Sequence, residues 1–278
     1  MIVNHPLTYA FTEAIMKKFL LLVVALVLIG AMLVGCMSET ASILDKVKDA
    51  GKVVVGTSAD YPPYEFIDEA GNKTGFDIEL MAEIAKRMGV ELEWVDMPFD
   101  SLVAAVDSGK LDMSISCFNY DEERDKTVDF SAAYYTTEDA FVVSSAFTGT
   151  IVKPEDAANY KVGVQSGTVQ DGWLTDNLVT PGLLPEANLS RYERVDQAAL
   201  DLANGRIDVL MADYVPVQAL VAQNPDLQVV YHGELSTGPI NIVLPDGDTA
   251  LKAEVDRIIK ELQDEGFIDQ LAVKYFSD

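Results

Sequence analysis

Residues 110–136 read KLDMSISCFNYDEERDKTVDFSAAYYT. A short apolar run (Leu111, Met113, Ile115) ends in small and polar residues, Ser114, Ser116, Cys117 and Asn119. An acid-rich turn carrying Arg124 follows, then Val128-Asp129-Phe130-Ser131 and the aromatic pair Tyr134 and Tyr135. Physically, a strand delivers the chain to a rim where backbone amides and short polar groups are exposed, and Arg124 stands one turn further on. Its guanidinium is a planar fork of donors that matches a carboxylate. The plain alternative is one more solvated charge in a charged turn.

The 278 residues are enough for two compact lobes or one large domain, and 49% apolar content marks a globular chain. A formal net charge of −25 argues against nucleic acid and anionic membrane surfaces as partners and favours a soluble, repulsive monomer. With Cys36 in the leader region and only Cys117 beyond it, no disulfide is expected in the mature fold. His5 and His232 are the only histidines, so no metal site, no cofactor and no Ser-His-Asp or Cys-His arrangement is expected. His232 reads as a hinge or surface residue.

Met16-Lys17-Lys18 opens a charged start and an apolar run from Phe19 to Val34. Residues 1–35 therefore read as a leader that begins in practice at Met16. Leu33-Val34-Gly35-Cys36 resembles a bacterial-type lipobox, which implies lipidation of Cys36 and an extracytoplasmic, membrane-anchored protein. A retained anchor is the alternative, although the run is short against the ~20 residues of a transmembrane helix. Residues 36–50 are expected to form a tether and a first helix (Ile43 to Ala50).

KVVVGT (Lys52–Thr57) is a buried-strand pattern opening onto Ser58-Ala59-Asp60-Tyr61-Pro62-Pro63-Tyr64-Glu65. The prolines stiffen a loop at the carboxyl end of the strand, where open α/β sheets bind ligands, and hold Tyr61 and Tyr64 toward a cleft. The alternative for Tyr61 is a core or lobe-edge aromatic. A helix to Met88 follows, with Asp77 expected as its N-cap, then a strand from Glu91 and a helix capped by Asp100. Phe99 read alone is a staple at the helix start. If the strand 111–116 is parallel, Ser116, Cys117 and Asn119 sit at its carboxyl end.

In the second half, Lys161–Gln165 is a strand ending at Ser166-Gly167-Thr168, a turn into a helix that presents free amides and a hydroxyl to an anion. Gly205-Arg206-Ile207-Asp208-Val209 echoes Gly109-Lys110-Leu111-Asp112-Met113. The echo implies two similar α/β lobes. Asp213 ends an apolar strand as a ligand-facing acid would, and it is also a sensible N-cap for the segment 214–223.

The pattern Ser-x-x-Asn-x-x-x-Glu-Arg at 116–124, with Val128–Ser131 and Tyr134-Tyr135, resembles the extracellular solute-binding proteins of family 3, the polar amino-acid receptors of ABC importers. GFDIEL (75–80) and GFIDQLAVKYF (266–276) match in order, so the resemblance runs from about Gly51 to the C-terminus. It implies the two-lobed periplasmic-binding fold of type 2, with mainly parallel sheets flanked by helices and joined by two hinge crossovers. Lobe 1 would be residues 51–139 and 237–278, and lobe 2 residues 140–236. It implies that Arg124 grips a ligand α-carboxylate, that Thr168 contacts it from the opposite lobe, and that Asp213 binds the ammonium. Tyr61 and Phe99 would wall the pocket, with Ser116, Cys117 and Asn119 along its rim. The family has a small residue, often Gly or Ser, at 117 and Thr or Ser at 119; Cys117 and Asn119 depart from that. It implies a binding protein and not an enzyme, with an amino acid as ligand and an ABC permease and its ATPase as partners. A sensory protein and a prephenate or arogenate dehydratase-like enzyme are the alternatives on this fold. Ser58 is neutral where relatives that bind basic amino acids carry an acid, but Asp60 stands nearby.

Overall fold

The computed structural model describes residues 42–277; the leader, Cys36 and the start of the tether lie outside them. Helix α1 (Ile43–Ala50) leads into β1 (Lys52–Thr57). A small antiparallel unit follows, β2 (Asp60–Tyr61), β3 (Glu65–Ile67) and β4 (Lys73–Thr74). Next come α2 (Phe76–Met88), β5 (Glu91–Asp96), α3 (Phe99–Asp107) and β6 (Met113–Asn119). A short 3-10 turn, Arg124–Lys126, separates β6 from β7 (Val128–Phe130) and β8 (Tyr135–Thr136). The chain then crosses to β9 (Asp139–Ser144), β10 (Val162–Gln165), α4 (Val169–Leu174) and β11 (Leu189–Tyr192). α5 (Val195–Ala203), β12 (Val209–Asp213), α6 (Tyr214–Gln223) and β13 (Leu227–Gly233) follow. It returns through β14 (Pro239–Pro245) and ends in α7 (Thr249–Asp264) and α8 (Phe267–Phe276).

These strands make two larger mixed sheets, one per lobe. The first runs β5-β1-β6-β14-β7, with β8 also on β14; the second runs β11-β10-β12-β9-β13. Three neighbouring strands are parallel in each, β5-β1-β6 and β11-β10-β12, and the next strand, β14 or β9, runs antiparallel to them. The repeated Gly-basic-apolar-Asp segment plays the same part in both. Asp112 accepts from the Val54 N–H at 2.8 Å, and Asp208 accepts from the Lys161 N–H at 2.9 Å. Each carboxylate satisfies a backbone donor just before the parallel ladder starts, at Val55↔Met113 and Val162↔Val209.

Side-chain alternation sorts the core. Val53, Val55, Met113 and Ile115 share one core with α2, α7 and α8 through Leu80, Ile84, Val255, Ile259 and Leu271. Phe118, Val128 and Val243 face the other way, against Phe99, Leu102 and Val106 of α3. In the second sheet Phe141, Val143, Val209 and Met211 meet Leu174 and Leu178, while Ala140, Val142, Leu210 and Ala212 turn to α5 and α6.

Two expected caps are not caps. The cap position of α2 is Gly75, so Asp77 lies inside the first turn and is fully buried; Pro98 precedes α3, so Asp100 is likewise too far in. The expected strand 111–116 is shifted to 113–119, because Lys110 and Leu111 still complete the turn out of α3 through Ala105 O.

The crossovers are tied together chiefly at Asp139. Asp139, fully buried at the start of β9, accepts from the backbone N–H groups of Leu235, Ser236 and Thr237 and from both hydroxyls of the latter two, at 2.7–3.1 Å. The outgoing strand thereby fixes the returning loop. Nearby, His232 stacks on Tyr214 (4.4 Å between ring centres) and bonds to Glu138, a half-exposed place at the hinge. Asp139→Ala leaves three backbone donors without their acceptor and is expected to lower unfolding free energy by roughly 3 kcal/mol or more. Urea titration measures it; a loss below about 1 kcal/mol, within what a single ordinary hydrogen bond contributes, would show that the tie is dispensable.

Candidate functional site

Tyr61, Phe99, Ser116, Cys117, Asn119, Arg124, Thr168 and Asp213 all line one small, nearly filled cavity between the lobes, with about 10 Å³ of free space. Ser58, Glu65, Gln165 and Gln170 complete much of its wall. Ser116, Cys117 and Asn119 close strand β6, while Gln165 and Asp213 end β10 and β12. The cavity therefore sits at the carboxyl ends of parallel strands in both lobes, where loops leave backbone groups free.

Arg124 is placed by its own turn and by aromatic rings. Its N–H donates to Asp121 Oδ1 at 2.8 Å, and its guanidinium lies 5.4 and 5.6 Å from the ring centres of Phe99 and Phe118, which stack on each other. That geometry suits cation–π attraction. The guanidinium donates to two backbone carbonyls, Asn119 O at 3.3 Å and Gly167 O at 2.7 Å across the cleft. Among the described residues it pairs with no carboxylate within 4.0 Å. Burial lowers its pKa, with Asp121 pulling the other way, but an arginine keeps its charge in any such setting. Phe99 is the first residue of α3 and a wall of the cavity; with Pro98 as the cap, the staple position before it belongs to Met97, so Phe99 is not a staple.

Asp213 is the acid on the opposite lobe. It occupies the cap position of α6, yet its side chain caps nothing. Oδ2 accepts from Tyr61 Oη at 2.6 Å and from Gln170 Nε2 at 3.1 Å; Oδ1 is buried with no hydrogen-bond partner. The Asp213 N–H also donates to Tyr61 Oη at 2.8 Å. Tyr61 is thus a polar bridge between lobes as well as a wall. Burial pushes the Asp213 carboxyl up to about 7, with the Tyr61 hydroxyl pulling against it and Asp139 adding to it. An incoming cation would remove that penalty. The Thr168 hydroxyl is engaged locally. It donates to Gln165 O at 2.8 Å and accepts from the Asp171 N–H at 3.2 Å, capping α4. The free hydroxyl donor expected at this turn is therefore spoken for, and the amides of the α4 first turn remain as the donors it offers to an anion.

The residue that sequence reasoning missed is Glu65. It stands opposite Tyr61 in the β2–β3 ladder, so both side chains share a face. Its carboxyl is fully buried, accepts from Ser116 Oγ at 2.8 Å and lies against Asp77. Asp77 accepts from the Cys117 N–H at 2.8 Å and from Tyr134 Oη at 2.9 Å. Burial, then mutual repulsion, raises Glu65 well above the carboxylate range, and burial brings Asp77 to about 7. This pair anchors the floor of the cavity and holds Cys117, which adopts φ +48° and whose thiol burial keeps protonated. The hairpin signal YPPYEF, with a charge two residues beyond a proline pair, is the clue to it.

The family model for bacterial extracellular solute-binding proteins, family 3, matches residues 53–278. The L-cystine-binding protein TcyJ of Escherichia coli (strain K12) is 30% identical over 260 residues, covering 94% of this chain and 95% of that one. The arginine-binding extracellular protein ArtP of Bacillus subtilis (strain 168) is 32% identical over 266 residues, covering 94% and 99%. A crystal structure of a mutant ArgBP from T. maritima superposes with a TM-score of 0.78 at 37% identity, over 85% of this chain and all of that one. With fold, cavity and matched length in agreement, the chain belongs to the bacterial extracellular solute-binding proteins, family 3. No helix among the described residues is long and apolar enough to cross a membrane.

The buried acids give the ligand-free protein an unusual pH dependence. Asp213 and Asp77 keep their protons to about pH 7 when folded, whereas an unfolded Asp releases its own near pH 4. Between these values the folded state binds more protons, so stability falls as pH rises, by at most ~1.4 kcal/mol per pH unit for each group. Asp213→Asn is expected to flatten the profile between about pH 5 and 7 and to be more stable than wild type at pH 8. Urea midpoints across that range read the effect; parallel profiles for the two proteins would remove Asp213 as its source.

Proposed function

We propose that this protein is the substrate-binding component of an ABC importer, a binding protein and not an enzyme, and that its ligand is an amino acid. One observation carries the reading: an arginine free of carboxylate partners and a buried carboxylate with one unpaired oxygen face a single cavity from opposite lobes. That is the charge pattern of a zwitterion, with a fork for the carboxylate and an acid for the ammonium. Phe99, Phe118 and Tyr61 exclude water and strengthen both contacts. Ser116, Cys117, Asn119 and the α4 turn carrying Thr168 supply the surrounding polar groups. Relatives named for cystine and arginine support an amino-acid ligand.

Capture works by hinge closure. Residues 51–139 and 237–278 move as one body and 140–236 as the other. Ligand bridges Arg124 to Asp213, binds the closed state better than the open one and shifts the population toward it. The closed form then docks on a membrane permease driven by its ATPase. The protein acts as a monomer outside the cytoplasm, tethered through lipidated Cys36.

Thermal unfolding against each of the twenty amino acids at millimolar concentration tests the proposal. A ligand at ~100 times its dissociation constant adds ~2.7 kcal/mol, a shift of a few degrees for a protein of this size. One or a few amino acids are expected to produce that shift in wild type, and Arg124→Ala is expected to abolish it. Absence of any shift in ligand-free wild type would sink the amino-acid reading, and a shift retained by Arg124→Ala would remove Arg124 from the site.

A further inference from the structure

Helix α5 starts without a cap of its own. Arg194 holds the cap position in extended conformation, and its side chain makes no hydrogen bond to the helix. The first N–H of the helix, from Val195, instead donates to Asp60 Oδ2 at 2.6 Å. Asp60 belongs to β2 of the other lobe. Gln165 Nε2 approaches the same oxygen at 3.4 Å. The Arg194 guanidinium lies 3.6 Å from Asp60 Oδ1 and donates to Asp96 Oδ1 at 3.0 Å, so it pairs with two acids of the opposite lobe. Ser58 Oγ donates to Asp60 Oδ1 at 2.6 Å and orients the carboxylate from its own side. Asp60, Asp96, Arg194 and Val195 do not line the ligand cavity.

We propose that Asp60 sets affinity from outside the pocket, latching the closed state by capping α5 across the cleft together with Arg194. The inference rests on the hinge-closing reading above. The asymmetry of hydrogen-bond energetics supplies the direction. In an open cleft water satisfies the Val195 N–H and the Arg194 guanidinium, so nothing is lost. In a closed cleft without Asp60 the Val195 N–H would be shut away unpaired, and Arg194 would keep only Asp96. Burial raises the Asp60 carboxyl, while Ser58, the Val195 N–H and Arg194 each draw it back, so the cross-lobe contacts favour its charged form. A positively polarised helix start facing a carboxylate acts in the same sense.

Asp60 is a positioning residue, and its effect differs from that of a ligand contact. A latch forms after encounter, so its loss speeds release and leaves capture nearly unchanged. It also acts on every ligand alike. If Asp60 instead recognised a cationic ligand side chain, its removal would weaken cationic ligands selectively, and Arg194→Ala would not imitate it.

Stopped-flow capture and release rates for wild type, Asp60→Ala, Arg194→Ala and the double variant test the latch, using the amino acids that shift the wild-type unfolding midpoint. Each single variant is expected to release every such ligand about five- to tenfold faster, the range for losing one helix cap. Capture rates should hold within about twofold. Because the two residues share one contact, the double variant should lose less than the product of the singles. Spin labels placed on the two lobes add a readout that needs no ligand: Asp60→Ala should shift the distance distribution toward the open form. Folded variants with wild-type release rates, an unchanged distance distribution, or losses confined to cationic ligands would each overturn the proposal. If wild type binds no amino acid, the receptor reading fails by itself, and the label distances still decide the latch.

Discussion

Everything between the two lobes depends on Asp139. The chain leaves the first sheet through Thr136 and returns at Pro239, and the two passages share a buried carboxylate with five donors from residues 235–237. A charge so placed is tolerated because each of its donors makes a charge-assisted bond. The tie makes the returning loop follow the outgoing strand, so the two passages form one linked place and not two independent ones. It also places a negative charge behind Asp213, which helps keep that acid reluctant to ionise.

The cavity gathers groups that a stability-driven core would avoid. Glu65, Asp77 and Asp213 are buried acids, and each has an oxygen without a hydrogen-bond donor. On the proposed reading they prepare the site for a positive ligand group: protons held on the acids neutralise it, and a cation can replace them. The opposite end works by the same logic with the sign reversed. Arg124 rests on aromatic faces and carbonyl oxygens, partners weak enough to yield to a carboxylate.

Much of this is readable from residues. KVVVGT marks the first strand to the residue, because a β-branched run between glycines has few alternatives. The paired Gly-basic-apolar-Asp segments announce two lobes, since each Asp holds one backbone donor at the same register. The eight pocket positions converge because they follow parallel strands to their carboxyl ends. What escapes such reading depends on tertiary placement. Asp77 and Asp100 have the right chemistry for caps and stand too deep, since Gly75 and Pro98 begin the helices. Asp60 looks available to a ligand; only the approach of α5, distant in sequence, shows it occupied. Thr168 looks like a ligand donor until Gln165 O claims its hydrogen.

Gly167 marks one close contact between the lobes. Its carbonyl accepts from Arg124, and a Cβ built on it would stand 2.9 Å from the Asp100 Cβ. Its φ of +73° is already a conformation that side chains avoid. Here the backbone of one lobe touches a side-chain stem of the other with no atom to spare. The approach of the two lobes at this contact is thus bounded by a carbon that is not there. A side chain at 167 would act as a doorstop, leaving every pocket residue in place and the door ajar.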